Sequence, residues 1–133
     1  MVRGPPMNAD ERRYDAITSK IIAAVIAVSN ELGVGFLEVV YKNALFVELT
    51  RMGLRVEREK RLLVRYHGVV VGEYYADLIV EDSVIVEAKH ATGIADGHFA
   101  QVLNYLKCTG LHLALIVNFG TPKAEWKRVA RGL

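Results

Sequence analysis

Tyr14, Ile17, Ile21, Val25, Val28 and Leu32 recur every three or four residues, the spacing that lays one apolar stripe along a helix. Asn8 followed by Glu11 marks its start, an N-cap side chain with an acidic residue three positions on. Gly33 and Gly35 interrupt it. A second helix is predicted from Phe36 to Met52, stopped by Gly53 just past its end. Its apolar arc is wide: Phe36, Val40, Ala44 and Val47 on one side, Leu37, Tyr41, Leu45 and Leu49 on the next. Such a helix is expected to pack against a sheet on one side and another helix on the other.

From Leu54 the period changes to that of strands. Residues 54–56 read as a short strand, followed by a charged stretch, Glu57-Arg58-Glu59-Lys60-Arg61. Residues 62–66 read as a strand, His67-Gly68 as a turn, and residues 69–80 as a longer strand bulged at Gly72. Residues 84–89 follow. A third helix is expected over residues 95–109, with Phe99, Val102, Leu103 and Leu106 facing a core and Gly110 ending it. Residues 113–117 are continuously apolar, as in a strand covered on both faces. Thr121-Pro122 then opens a last helix, an N-cap followed by proline at the first helical position. The order is α-α-β-β-β-α-β-α, an α/β chain.

The totals narrow this further. A chain of 133 residues suits one domain with a single core, here residues 10–133, preceded by a flexible tail over residues 1–9. Hydrophobic residues make up 52% and charged ones 24%, which excludes both disorder and a membrane array. The apolar run 21–28 is too short to span a bilayer, and the N-terminal stretch lacks the apolar core of a secretory signal. One cysteine, Cys108, forms no internal disulfide and fits a reducing cytoplasm. A net charge of +2 does not by itself argue for nucleic acid.

The candidate chemistry lies in residues 74–89, YYADLIVEDSVIVEAK. Two strand-like runs flank a turn at Glu81-Asp82-Ser83, and set into their apolar ground are Asp77, Glu87 and Lys89. Charged side chains inside such strands are paired or bind an ion. Strand alternation puts Glu87 and Lys89 on one face, roughly 6.6 Å apart along the strand, and hairpin pairing would bring Asp77 near Glu87. Two carboxylates and an ammonium at one sheet edge make a candidate metal site. The plain alternatives are an ordinary Glu87–Lys89 ion pair, and Asp77 capping a bulge.

The element order, with Asp77 and the Glu87-Ala88-Lys89 triplet, resembles the PD-(D/E)XK nuclease superfamily, although Ala76 stands where that motif has proline. Gly35, Glu38 and Tyr41, in GFLEVVY, resemble the signature of the small GxxExxY proteins, as do DLIVEDSVIVEAKH, QVLNYLKCTG and LALIVNFG. The resemblance implies a restriction-endonuclease-like core, α-β-β-β-α-β, with a central mixed sheet flanked by helices and extra N-terminal and C-terminal helices. It implies Mg²⁺, or Mn²⁺, held by Asp77, Glu87 and the backbone carbonyl of Ala88, with Glu38 as a further ligand. Lys89 would orient or deprotonate a water, or stabilise phosphoryl charge. Gln101 and Tyr105 match a QxxxY motif whose residues approach the metal or DNA.

The resemblance thus implies a Mg²⁺-dependent nuclease acting on nucleic acid, DNA in preference to RNA. The alternative is a non-catalytic nuclease-fold module that binds nucleic acid or a protein partner. Glu38 could instead pair with Lys42 four residues on, and Gln101 could simply bond a strand end. Tyr41 and Gly35 read as structural, His90 and His98 as surface residues, and Cys108 as helix packing. Arg51, Arg55, Arg58, Lys60, Arg61 and Arg65 form one basic group, with Arg58, Lys60 and Arg61 the candidate phosphate contacts. Lys123, Lys127, Arg128 and Arg131 form another on the last helix. Either group is a phosphate-binding surface or a solvated face. A homodimer or other protein partner fits the small size, and nothing points to a membrane.

Overall fold

The computed structural model describes residues 8–132. The chain runs through α1 (Ala9–Leu32), α2 (Glu38–Arg51), β1 (Val56–Tyr66), β2 (Val69–Val80), β3 (Val84–Lys89), α3 (Asp96–Thr109), β4 (Leu113–Asn118) and β5 (Glu125–Ala130). The strands form one sheet in the order β1-β2-β3-β4-β5. Its pairs are antiparallel except β3–β4, which is parallel, and α3 supplies the crossover that parallel neighbours require. This is an α/β, restriction-endonuclease-like fold with a mixed sheet between helices.

The two faces of the sheet carry two apolar clusters. Ile17, Ile21 and Val25 of α1 and Tyr41, Leu45 and Leu49 of α2 pack on Val84, Val86, Leu113 and Leu115. Val102, Tyr105 and Leu106 of α3 pack on Ile79, Ile85, Ala114 and Ile116 from the other side. β3 and β4 are therefore covered on both faces, which is why residues 84–86 and 113–117 run apolar without alternation. Each fully buried aliphatic side chain contributes about 1.5–3 kcal/mol relative to exposure, so this two-sided layer holds the centre of the sheet rigid.

Asn8 caps α1, its Oδ1 accepting from the Glu11 N–H at 2.8 Å, and the predicted stripe is the buried one. The expected tail over residues 1–9 otherwise lies outside the described residues, apart from Asn8 and Ala9 at this helix start. α2 begins at Glu38, not Phe36, and only its Tyr41, Leu45 and Leu49 side is buried; Phe36, Leu37 and Val47 are exposed. In α3, Leu103 is exposed and Tyr105 takes a core position instead. The charged stretch from Glu57 to Arg61 does not interrupt β1, which is continuous. As an edge strand it keeps these side chains in solvent, where charge guards the open edge. The bulge expected near Gly72 is present: Val64 faces Gly72 and Arg65 faces Val70, leaving Val71 extra.

The last element departs from expectation. No helix follows Thr121-Pro122; residues 125–130 form β5 against β4. Ala124 and Trp126 pack with the α1 side, whereas Val129 packs with the α3 side, the two-residue alternation of a strand. A β4 left at the edge would expose backbone groups beside a fully apolar strand, and β5 satisfies them. The basic group assigned to a last helix therefore lies on and around this strand, with Arg128 3.6 Å from Asp15.

Candidate active site

β2 and β3 pair regularly from Leu78 to Val80 against Val84 to Val86. One residue beyond, side chains replace the ladder. The Asp77 N–H donates to Glu87 Oε1 at 2.7 Å, and the Ala88 N–H donates to Asp77 Oδ2 at 2.9 Å. The pleat of β2 breaks at the same place. Ala76 and Ile79, three residues apart, both pack on the α3 side, while Leu78 packs on the other. Between Arg58 and Lys60, which face Leu78 and Ala76, Glu59 has a positive φ of 51°. Such an interruption re-aims a side chain, here that of Asp77.

The two carboxylates lie deep enough to perturb each other. Burial pushes Glu87 up to about 8, reinforced by the charge of Asp77. Burial also raises Asp77, opposed by the bond from the Ala88 N–H and by the charges of Lys42 and Lys89. A buried Glu87 in contact with a half-buried Asp77 shares a proton with it, because charging both carboxyl groups away from bulk water is costly. Glu87 is 2% exposed.

Lys89 shares the Glu87 face of β3, its Nζ 4.0 Å from Glu87 Oε2. The Nζ donates to Gln101 Oε1 at 2.8 Å, so α3 orients the ammonium. Tyr105, one turn on, bonds Gln101 through its side chain, and burial and then the Glu87 and Asp77 charges push its hydroxyl up to about 12. Its ring centroid lies 5.6 Å from that of Tyr74. Glu38 opens α2, is exposed, and lines a cleft of ≈ 240 Å³ with Val39, Lys42 and Asp77. Lys42 does not pair with Glu38; it bonds Glu59, is nearly buried, and places its charge beside Asp77. Sequence reading missed this residue, whose only signal was its position one turn after Glu38.

A brace of aromatic and amide groups supports the site from behind. The Tyr41 hydroxyl donates to the Gly33 carbonyl and accepts from the Phe36 N–H at 3.2 Å, which fixes the loop before Glu38. Gly35 within it has φ 122°, backbone that side chains rarely adopt. The Tyr41 ring stacks on Phe119 at 4.7 Å and on His90 at 5.7 Å. His90 is thus half-buried, not a surface residue, and its buried Nε2 has no partner among the described residues. His98 caps α3, its Nδ1 accepting from the Ala95 N–H at 3.0 Å. Asn118, fully buried, accepts from the Ala91 and Gly120 N–H groups and donates to the Ala91 carbonyl and Glu125. A Cβ at Gly120 would stand 2.1 Å from the Ala91 carbonyl oxygen. This tight approach clamps the segment that follows Lys89.

The candidate phosphate contacts do not share one surface with this cleft. The Arg58 guanidinium lies 4.0 Å over the Phe46 ring, toward α2. Lys60 pairs with Glu57 at 2.9 Å and Arg61 with Glu73 at 2.7 Å; both line a separate groove of ≈ 440 Å³ with Arg65, Cys108 and Thr109. Among the described residues, no three His, Cys, Asp or Glu side chains cluster as a metal centre. The carboxylates form a pair, with Glu38 lining the cleft beside Asp77. The pair nevertheless fits a divalent cation that favours oxygen: adjacent carboxyl groups that resist joint ionisation gain from a positive charge between them.

The sequence profile described as the PD-(D/E)XK nuclease superfamily matches residues 15–129, and the chain belongs to that superfamily. No protein of curated function matches it. Among solved structures it resembles the crystal structure of SSO0001, with TM-score 0.53 and 19% identity over 93% of this chain and 62% of that one. The chain thus spans less than two thirds of that relative, and the likeness is one of fold. An alkaline exonuclease (LHK-Exo) from Laribacter hongkongensis gives TM-score 0.43 and 14% identity over 96% of this chain and 72% of that one. Among the described residues, no helix is long and apolar enough to cross a membrane.

Proposed function

We propose that this chain hydrolyses phosphodiester bonds in nucleic acid, DNA in preference to RNA, with Mg²⁺ or Mn²⁺ as cofactor. Within the superfamily we place it with the GxxExxY proteins, on Gly35, Glu38 and Tyr41, and in the cytoplasm, where Cys108 stays a thiol. The observation that carries this reading is the reciprocal anchoring of Asp77 and Glu87 with Lys89 beside them. One oxygen of each carboxylate is held by a backbone N–H, leaving Asp77 Oδ1 and Glu87 Oε2 for the shared proton or for a cation.

Asp77 and Glu87 would hold the metal, with the Ala88 carbonyl and Glu38 as further donors. The bound ion would polarise the phosphate and lower the pKa of a water. Lys89, held by Gln101, positions an ammonium at the edge of the carboxylate pair, where it orients a water or offsets charge on the phosphoryl oxygens. Tyr105 supports that side of the site, positioning Gln101. Lys42 keeps Asp77 toward its charged, ligand-ready form.

Calorimetric titration of Mg²⁺ and Mn²⁺ into the wild type and Asp77→Ala, with cleavage assays in parallel, tests this. Binding lost in the variant together with metal-dependent cleavage is the expected result. The clustering of two carboxylates, and not three, among the described residues favours, as a second reading, a module that binds without cutting. Nucleic-acid binding that survives EDTA and is indifferent to Lys89→Ala would establish that reading instead.

A further inference from the structure

Glu59 and Asp77 hold facing places in the β1–β2 ladder, between the pairs Arg58–Leu78 and Lys60–Ala76. Carboxylates directly opposite each other repel, and here the ladder lapses. Glu59 takes a φ of 51°, a conformation that strains a residue with a side chain and is found most often where function requires it. Its carboxylate bonds Lys42 of α2. That bond and the charge of Lys42 hold the Glu59 carboxyl below its ordinary value. An ion pair on the surface is ordinarily worth little. This one differs in its cation: the Glu59 side chain is 62% exposed, but that of Lys42 is 12% exposed and lines the cleft of the candidate site.

Lys42 has two other carboxylates for neighbours. It shares that cleft with Glu38, one helical turn before it, and with Asp77. Burial raises Asp77, and of the two ammonium groups that oppose this, Lys42 outweighs Lys89. Yet among the described residues Lys42 pairs with Glu59, and with neither carboxylate of the cleft. A lysine is a point charge on a flexible four-carbon stem. Released by Glu59, it would swing onto Asp77 and cover Oδ1, the oxygen that the Ala88 N–H does not hold. We propose that Glu59 is a positioning residue: it tethers Lys42 beside Asp77 but off it, and so keeps that carboxylate open to a divalent cation. The inference rests on the metal-dependent reading of the site and extends it to β1.

Calorimetric titration of Mn²⁺ into the metal-free full chain tests this, on the wild type, Glu59→Gln, Lys42→Met and the double variant. Glu59→Gly is run beside Glu59→Gln, because glycine accepts this backbone without strain. Circular dichroism establishes that each variant is folded. The expected result is a loss of Mn²⁺ affinity of about tenfold or more in Glu59→Gln and Glu59→Gly. On the Lys42→Met background, where no ammonium is left to tether, Glu59→Gln is expected to change affinity by less than about twofold. Affinity that neither Glu59 substitution lowers, or that falls equally with and without Lys42, overturns the inference and leaves the metal-dependent reading standing. A wild type that binds no Mn²⁺ overturns both. Because binding is read without cleavage, these outcomes are separable from that of the nuclease assay.

Discussion

The Lys89 ammonium donates to the Gln101 side chain at 2.8 Å while standing 4.0 Å from Glu87. A strand residue of the candidate site is thus aimed by a helix residue, and the two are separable by mutation. Lys89→Ala is expected to reduce cleavage by about 10²-fold or more, the scale of a lost electrostatic contact in a dry site, with metal binding retained. Gln101→Leu is expected to cost about tenfold, since the ammonium remains but loses its orientation. Single-turnover cleavage rates, beside calorimetric metal affinities, check both.

Glu87 ties folding to pH. Folded, it keeps its proton up to about pH 8; its ordinary value is 4.5. Between these the folded state binds more protons than the unfolded one, so the metal-free protein loses stability as pH rises through that window. Glu87→Gln is expected to flatten this slope. Saturating divalent metal is expected to oppose it, because the cation favours the ionised pair. Urea denaturation at a series of pH values, with and without Mg²⁺, measures all three.

The clamp behind Lys89 is expected to be intolerant of change. Asn118→Ala leaves buried groups of Ala91 and Gly120 without partners, each worth about 1–3 kcal/mol. Gly120→Ala drives a methyl into the Ala91 backbone, and an overpacked site of this kind costs about 1–3 kcal/mol or more. Thermal melts give the stabilities. Cleavage by whatever fraction remains folded is expected to fall as well, because Ala91 lies two residues past Lys89.

Tyr41→Phe removes one hydroxyl and keeps the aromatic stack. The expected loss is about 1–2 kcal/mol for the Gly33 and Phe36 contacts, together with a rise in KM as the loop before Glu38 loosens. A melt combined with a KM and kcat determination separates this from a purely structural defect, which would leave the kinetics of the folded fraction unchanged.

Much of the fold was legible because its signals are local. The α1 stripe, its Asn8 cap, the bulge beside Gly72 and the two-sided burial of β4 each follow from spacing within a few residues. β5 was misread because Thr121-Pro122 mimics a helix start, while the reason for a strand there is the open edge of β4, a non-local fact. Asp77, Glu87, Lys89 and Gln101 do converge, as their pattern suggested. Lys42 and His90 were misjudged because their partners, Glu59 with Asp77 and Tyr41, are set by tertiary packing. The basic residues of β1 were grouped by sequence, but Arg58 turns to Phe46 of α2 while Lys60 and Arg61 line a separate groove.

The anchoring of Asp77 and Glu87 by backbone amides has a spectroscopic consequence. The Asp77 and Ala88 amide protons are sealed by carboxylates instead of by carbonyls, so their protection from solvent depends on the ionisation and occupancy of the pair. Amide exchange at these two positions will therefore respond to cation binding or to a proton leaving Glu87, while the Leu78 to Val80 amides stay silent. The chain carries two internal reporters of its own site, readable before any substrate is known.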